Sequence, residues 1–335
     1  MIKLVFFLLL SVFTAVCSFG QTVSNVDAYQ EGKNIIITYN TDKAGSVGDV
    51  YCSTDGGRTW GEPLRQVTGD VNKQVPAGGH RIVWDVLAER EKLAGENICF
   101  KVVTNYSVIF TVNGVSFEMV RVEGGTFRMG ATSEQKDEAD SDEKPVHSVT
   151  LSSYYIGKTE VTQALWQAVM GSNPSNFKGA DLPVECVSWD DCQEFIRKLN
   201  SMTGQNFRLP TEAEWEFACR GGNNSRGYKY SGSNNLGSVA WCDGNSGGKT
   251  HPVATKSPNE LGIYDMSGNV WEWCADWYGG YSSSAQTNPK GPYGGSGRVS
   301  RGGSWDDCAG GCRSSFRYSI YPAYRDNFLG LRLAL

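Results

Sequence analysis

Two cysteines near the end of the chain, Cys308 and Cys312, are separated only by Ala309, Gly310 and Gly311. Thiols at this spacing on a glycine-rich turn can form a catalytic pair, or they can lie idle in a loop built for contact. A second concentration of chemistry is the acidic run of RLPTEAEWEFAC, with Glu212, Glu214 and Glu216. On a helix, residues 212 and 216 share a face while 214 points elsewhere. Thr211 followed by Glu214 forms a capping box, so the run reads as scaffold rather than as a paired acid and base. The histidines His80, His147 and His251 are far apart, and neither H-E-x-x-H nor C-x-x-C occurs. That pattern argues against a structural zinc site.

The elements that must position these residues fall into two stretches. From Thr22 to about Tyr106 the runs NIIITYNT, DVYCSTD, GHRIVWDV and NICFKVVTN are rich in β-branched and aromatic residues and are punctuated by DGG and PAGG turns. They predict a small immunoglobulin- or fibronectin-like β-sandwich over residues 22–106. Cys52 and Cys99 lie on two of its strands, either as a bridge between the sheets or as two separate thiols. From residue 108 onward the texture is α+β. FEMVRVEGGTFRMG reads as strand, Gly-Gly turn, strand. A helix through TQALWQAVM stops at Gly171, and Ser188 with Asp191 caps another through WDDCQEFIRKLN.

Length and composition agree with two domains. The chain has 335 residues, a formal charge of −5 and 20% charged residues, with no basic stripe, which argues against nucleic acid as a partner. Met1 to Gly20 reads as a secretory signal: Lys3, then an apolar run from Leu4 to Val16, with Ser18 and Gly20 placing cleavage before Gln21. Cys17 offers a lipid-anchored alternative, but Val16 is bulky for that cleavage. No later segment has the length and apolarity of a transmembrane span. The expected location is therefore outside the cytoplasm: periplasm, cell surface or medium.

FEMVRVEGGTFRMG, KTEVTQALWQAVMG, LPVECVSWDDCQEFIRKLN, RLPTEAEWEFACRGG, ELGIYDMSGNVWEWCADW and RVSRGGSW…LGLRLA follow one another in this order. Together they resemble the formylglycine-generating enzyme (sulfatase-modifying factor) family, a variant of the C-type lectin fold. The resemblance implies such a domain over residues 108–335. It also implies an activity: copper-dependent oxidation of a sulfatase cysteine, using Cys308 and Cys312 with Ser304 at the family serine. Cys312 matches the second family cysteine, but Cys308 sits one position late and the residues after the pair differ. Misplacing one sulfur of a two-thiolate copper(I) site undoes its geometry, so ligand binding is the preferred function and oxidation the alternative. The resemblance also implies a calcium site from Asp265, Gly268, Val270 and Glu272, with a weaker one near Asn245 and Gly247. It further suggests a Cys219–Cys312 disulfide.

The last segment resembles, in addition, the diversified tails of C-type-lectin-fold proteins in which retroelements randomise adenines of AAC codons. The corresponding variable positions are Asp306, Asp307, Cys308, Gly311, Phe316, Tyr318, Ser319, Ile320, Tyr321, Tyr324, Asp326, Asn327 and Phe328. Such randomisation never yields Lys, Glu, Gln, Met or Trp, and none of these five stands at any of those positions. Since the five make up roughly a fifth of ordinary composition, chance absence has odds of about one in twenty. Tyr and small polar residues dominate, as they do in antibody paratopes. The sequence thus predicts a binding surface for an extracellular or surface ligand, protein or glycan. Tyr318, Tyr321, Tyr324, Phe316 and Phe328 should be exposed, over a substructure that includes Ser304, Arg313 and Arg317.

Overall fold

The structure, a computed structural model, describes residues 23–335 apart from 43–44, 72, 91–92, 96, 106 and 136–137. The segment read as a signal and Cys17 therefore lie outside the described residues. The chain divides into two units, Met1–Ser107 and Val108–Leu335.

The first unit contains β1 (Val23–Glu31), β2 (Asn34–Thr41), β3 (Gly45–Ser53), β4 (Val67–Gly69), β5 (Lys73–Val75), β6 (Gly78–Asp85) and β7 (Cys99–Asn105), with a one-turn helix α1 (Val86–Glu89). One antiparallel sheet has the order β1-β2-β6-β4 and the other β5-β3-β7. Ile35, Ile37, Tyr39, Ile82 and Trp84 of the first sheet share one core with Val47, Val50, Cys52 and Val102 of the second. Apolar residues on facing sheets have no other way out of water, so the unit is a β-sandwich. The cysteines do not bridge it. Ser53 pairs with Cys99 and Cys52 with Phe100, which puts both thiols on neighbouring strands of one sheet, and both are free.

The second unit begins with β8 (Ser107–Val112), β9 (Val115–Val122), β10 (Gly125–Met129), β11 (His147–Leu151) and β12 (Tyr154–Gly157). The Gly-Gly turn does not make a hairpin: β9 pairs with β12, and β10 with β11. Helices α2 (Gln163–Met170), α3 (Trp189–Thr203) and α4 (Glu212–Cys219) follow. Their starts are fixed locally. Thr162 caps α2, and Ser188/Asp191 and Thr211/Glu214 form reciprocal capping boxes on α3 and α4. Gly171 (φ 82°) ends α2 in the left-handed conformation. Trp166 and Phe195 stack at 4.8 Å between α2 and α3, in a core shared with Trp273, Leu329 and Leu331.

Two short helices, α5 (Leu236–Val239) and α6 (Asp243–Ser246), lead into β13 (Trp271–Trp277), β14 (Gln286–Thr287), β15 (Arg298–Arg301), β16 (Arg317–Ile320) and β17 (Leu329–Leu331). The last sheet has the order β16-β15-β13-β17. Its edge strand β16 carries Tyr318, and β17 runs parallel to β13. Among the described residues no helix is long and apolar enough to cross a membrane.

Candidate functional site

Helix α4 presents Glu212 and Glu216 inward, and the C-terminal segment supplies arginines to both. Arg317 donates through Nε to Glu212 Oε1 at 2.7 Å and through Nη2 to Oε2 at 2.6 Å. Arg301 pairs with Glu216 and also donates to the Phe316 carbonyl. Arg220 holds the other side of Glu216, Nε to Oε1 at 2.8 Å. Glu214 faces away into its capping box and takes two hydrogen bonds from Arg208 at 2.6 and 2.7 Å. The acidic run is scaffold, and its helical spacing decides which carboxylates meet the arginines. Burial pushes the Glu212 carboxyl up, but Arg317 and Arg301 outweigh it and hold it below the usual range.

A second anchor lies one turn upstream. Arg313 donates to Glu143 through Nη2 at 2.6 Å and Nη1 at 2.8 Å, and Ser315 donates its hydroxyl to the same carboxylate. Both charged partners are buried. Arg325 forms a more exposed pair with Asp191, at 2.6 and 2.8 Å, at the capped start of α3. Backbone bonds from Cys186 N to Asp326 O and from Trp189 N to Pro322 O, both 2.9 Å, fix the intervening loop.

Above this frame stand three tyrosines: Tyr318 at 55%, Tyr321 at 71% and Tyr324 at 43% exposure. Phe316 and Phe328 are half-buried rather than exposed and pack against the core from below. Trp271 links them, with ring centroids 5.9 Å from both Phe316 and Tyr318, and Tyr324 lies 6.4 Å from Phe328. Ser319 and Asp306 are exposed, and Asp326 and Asn327 are half-exposed. Ile320 and Gly311 are buried and belong to the underside. Asp307 is half-buried, and one of its oxygens accepts from Ser304 Oγ at 2.5 Å and Trp271 Nε1 at 2.8 Å. Its role is to hold the turn. Ser304, Arg313 and Arg317 are buried beneath the face.

The thiols and the calcium set depart from expectation. Cys308 is exposed, whereas Cys312 is buried in a pocket with Tyr230, Val239 and Cys242. A Cβ on Gly303 would fall 3.0 Å from Cys312 Sγ, so that sulfur is packed against the Gly303 backbone, while Cys308 stands exposed. This arrangement does not fit two thiolates sharing one linear copper(I) site. Cys219 is not bridged to Cys312: both are free, and Cys219 Sγ lies 3.6 Å from the Met266 carbonyl. Burial pushes the Cys219 thiol up to about 12.

Glu272 is already paired within the chain. Arg332 donates to it at 2.7 and 3.0 Å, and Trp215 Nε1 donates to its Oε2 at 2.6 Å. Asp265 accepts from Ala254 N at 2.7 Å. Gly268 is required for another reason: with φ 79°, a Cβ there would sit 2.2 Å from the Trp241 carbonyl oxygen. The Val270 amide donates to Glu160 at 3.1 Å. A guanidinium already occupies the carboxylate that calcium would need, so the set does not fit the ion. Asn245, of the weaker calcium set, accepts from Cys242 N at 2.9 Å within a capping box. Among the described residues, no group of three or more His, Cys, Asp or Glu is arranged to hold a metal ion.

Sequence reasoning missed Glu143, Arg301, Trp271 and Asp191 as supports of this face. Glu143 sits in the acidic stretch DEADSDEKP, which looks like solvated surface, and its partner Arg313 is 170 positions away. Only the arginine spacing in GGCRSSFR hinted that buried carboxylates were needed.

Comparison with known proteins places the second unit. Residues 111–335 match the sulfatase-modifying factor enzyme 1-like domain. The chain is 38% identical over 241 residues to the chaperone protein LppX of Paenibacillus barcinonensis, covering 57% of this chain and 79% of that protein. It is 31% identical over 283 residues to the formylglycine-generating enzyme of Streptomyces coelicolor, covering 64% and 88%. Among solved structures, Treponema denticola variable protein 1 aligns with TM-score 0.62 and 38% identity over 68% of this chain and 98% of that one. PvdO from Pseudomonas aeruginosa aligns with TM-score 0.56 and 27% identity over 68% and 97%. With the motifs in order and the fold shared, the chain belongs to the sulfatase-modifying factor (formylglycine-generating enzyme-like) family, with its C-type-lectin-like fold.

Proposed function

We propose that this is an exported ligand-binding protein whose contact face is the segment 306–328, with Tyr318, Tyr321 and Tyr324 as anchors. The observation that carries this reading is the division between three exposed tyrosines and the buried arginine–carboxylate frame beneath them. Exposed aromatics supply the apolar area that a partner can bury, and a fixed base keeps them pre-organised. The likeness to a variable protein and to a chaperone supports binding rather than chemistry. The ligand class is an extracellular or surface protein or glycan. Export rests on the Met1–Gly20 signal pattern. A fold does not fix an activity, and here the two family cysteines stand in different environments.

The test is the variant Tyr318→Ser/Tyr321→Ser/Tyr324→Ser. Its stability should remain within about 1 kcal/mol of wild type, as for exposed positions. On arrays of glycans and extracellular proteins, signals given by wild type should vanish. A loss of several kcal/mol would show the rings to be core and overturn the reading. Conversion of a sulfatase-derived cysteine peptide to formylglycine by the wild-type protein would overturn it in favour of the oxidase.

A further inference from the structure

Two thiols are packed together beneath the contact segment and a third, on that segment, is exposed. Cys312 (0% exposed) and Cys242 (6%) are buried in one small pocket with Tyr230 and Val239, and Leu236 packs against it. Cys308 is exposed, four residues before Cys312. The two segments that carry them are tied together beside the thiols. Asp243 N donates to Asp307 O at 3.1 Å, joining the neighbour of Cys242 to the neighbour of Cys308. Ser267 Oγ donates to the Cys312 carbonyl at 2.9 Å, and Asn245 Oδ1 accepts from Cys242 N at 2.9 Å, so both backbones are fixed.

Electrostatics agrees with that proximity. Burial pushes the Cys312 thiol well above its ordinary range, and Cys242, Asp307 and Cys308 push it further. Burial likewise raises Cys242, where Asp243 and Cys308 add to the shift and Lys256 opposes it. The three thiols are close enough to feel one another's charge, yet they are not arranged to hold a metal ion. Cys219 and Cys274 lie in a different core cluster, Cys192 in another, and Cys52 in the first unit.

We propose that Cys242 and Cys312 are a disulfide-forming pair, and that Cys308 is the thiol through which a small disulfide oxidant enters. The Cys308 thiolate attacks one sulfur of the oxidant RSSR, forming a mixed disulfide and releasing RS⁻. The Cys242 thiolate attacks Cys308 Sγ, and the second RS⁻ leaves as the Cys242–Cys308 bond forms. The Cys312 thiolate then attacks Cys242 Sγ, and Cys308 departs as thiolate. Two protein thiols lose two protons and two electrons, and RSSR takes them up as two RSH. The bond comes to rest on the buried pair because an exposed sulfur stays open to attack by released thiol, whereas one packed against Gly303 does not. Closure would couple the α5–α6 segment covalently to the base of the contact face.

The experiment treats the full wild-type chain with oxidised glutathione, blocks residual thiols, and maps tryptic peptides without reduction. The expected product links Tyr230–Lys249 to Gly302–Arg313, with fragmentation placing the bond on Cys242 and Cys312. Cys308→Ser should give the same bond at least tenfold more slowly. An internal Cys308–Cys312 bond, a bond from Cys312 to Cys219, or persistence of Cys242 and Cys312 as thiols would each overturn the proposal. The wild-type map stands alone, so failure of a variant to fold cannot blur the answer.

Discussion

Replacing Arg313 by methionine tests whether buried charge holds the tyrosine face in place. Arg313 gives Glu143 two hydrogen bonds, at 2.6 and 2.8 Å, in a site sealed from water on both sides. Methionine keeps much of the apolar stem and removes the charge. Glu143 then keeps the Ser315 hydroxyl and the Asp140 amide, the latter at 2.9 Å, but has no counter-charge. Removing one member of such a pair costs about 3–5 kcal/mol. The pH dependence should also reverse. In the wild type burial raises the Glu143 carboxyl, but Arg313 and Ser315 outweigh burial and hold it below its ordinary range. A depressed carboxyl contributes stability that is full above its unfolded value, about 4.3, and lost as pH falls through the folded value. Without Arg313 burial dominates, the folded value rises above the unfolded one, and stability falls as pH rises. The deficit of Arg313→Met should therefore be larger at pH 7 than at pH 4.5. Adding Glu143→Met should recover most of it, because no unpaired charge remains. The assay is urea unfolding followed by tryptophan fluorescence, with only Trp60 and Trp84 of the ten tryptophans in the first unit. A deficit under about 1 kcal/mol at both pH values would refute the reasoning, as would a double variant no more stable than the single one.

Burial and the charge of Glu212 push the Asp276 carboxyl up to about 7, while it accepts from Glu212 N at 2.9 Å. A raised carboxyl contributes stability that is full below the unfolded value and lost as pH rises through the folded one. Asp276→Asn should therefore flatten the decline in Tm between about pH 4 and 7 and gain on the wild type at pH 8. Gly268→Ala should cost more than about 1 kcal/mol in urea unfolding, since it meets both a positive φ and the Trp241 carbonyl. Calcium or EDTA should leave Tm unchanged, and Glu272→Ala should lower it equally with either, because Arg332 holds that carboxylate. A calcium-dependent rise in Tm would return Glu272 to the ion.

What the sequence could tell depended on how far apart the interacting residues lie. Caps at Ser188 and Thr211 are settled within four residues, and the structure has both. That Glu212 and Glu216 share one face of α4 followed from helical period alone. The exposed tyrosines and the supporting Arg313 and Arg317 followed from the resemblance to diversified tails, which did not give the depth of Phe316, Phe328 or Ile320. Those depend on packing against Trp271 and the core around it, which no local pattern announces. Thiol neighbours were least legible. The resemblance suggested Cys219 for Cys312, whereas the packed core places Cys312 beside Cys242 and Cys219 in another cluster. The Gly-Gly turn misled because Gly124 passes the chain from one sheet to another instead of reversing it.

The residues through Leu335 close the second unit rather than trail from it. Tyr155 N donates to Leu335 O at 3.0 Å and Leu335 N to Tyr155 O at 2.9 Å. Arg208 and Ala334 exchange a like pair at 2.9 and 2.7 Å, and Leu329–Leu331 lies beside β13. The central sheet of the second unit therefore stays one strand short until Leu329–Leu331 pairs with β13. Helices α2, α3 and α4 can form from local contacts alone, but their apolar faces find a complete sheet only through this distant pairing, and long-range closure of this kind is slow relative to local helix formation.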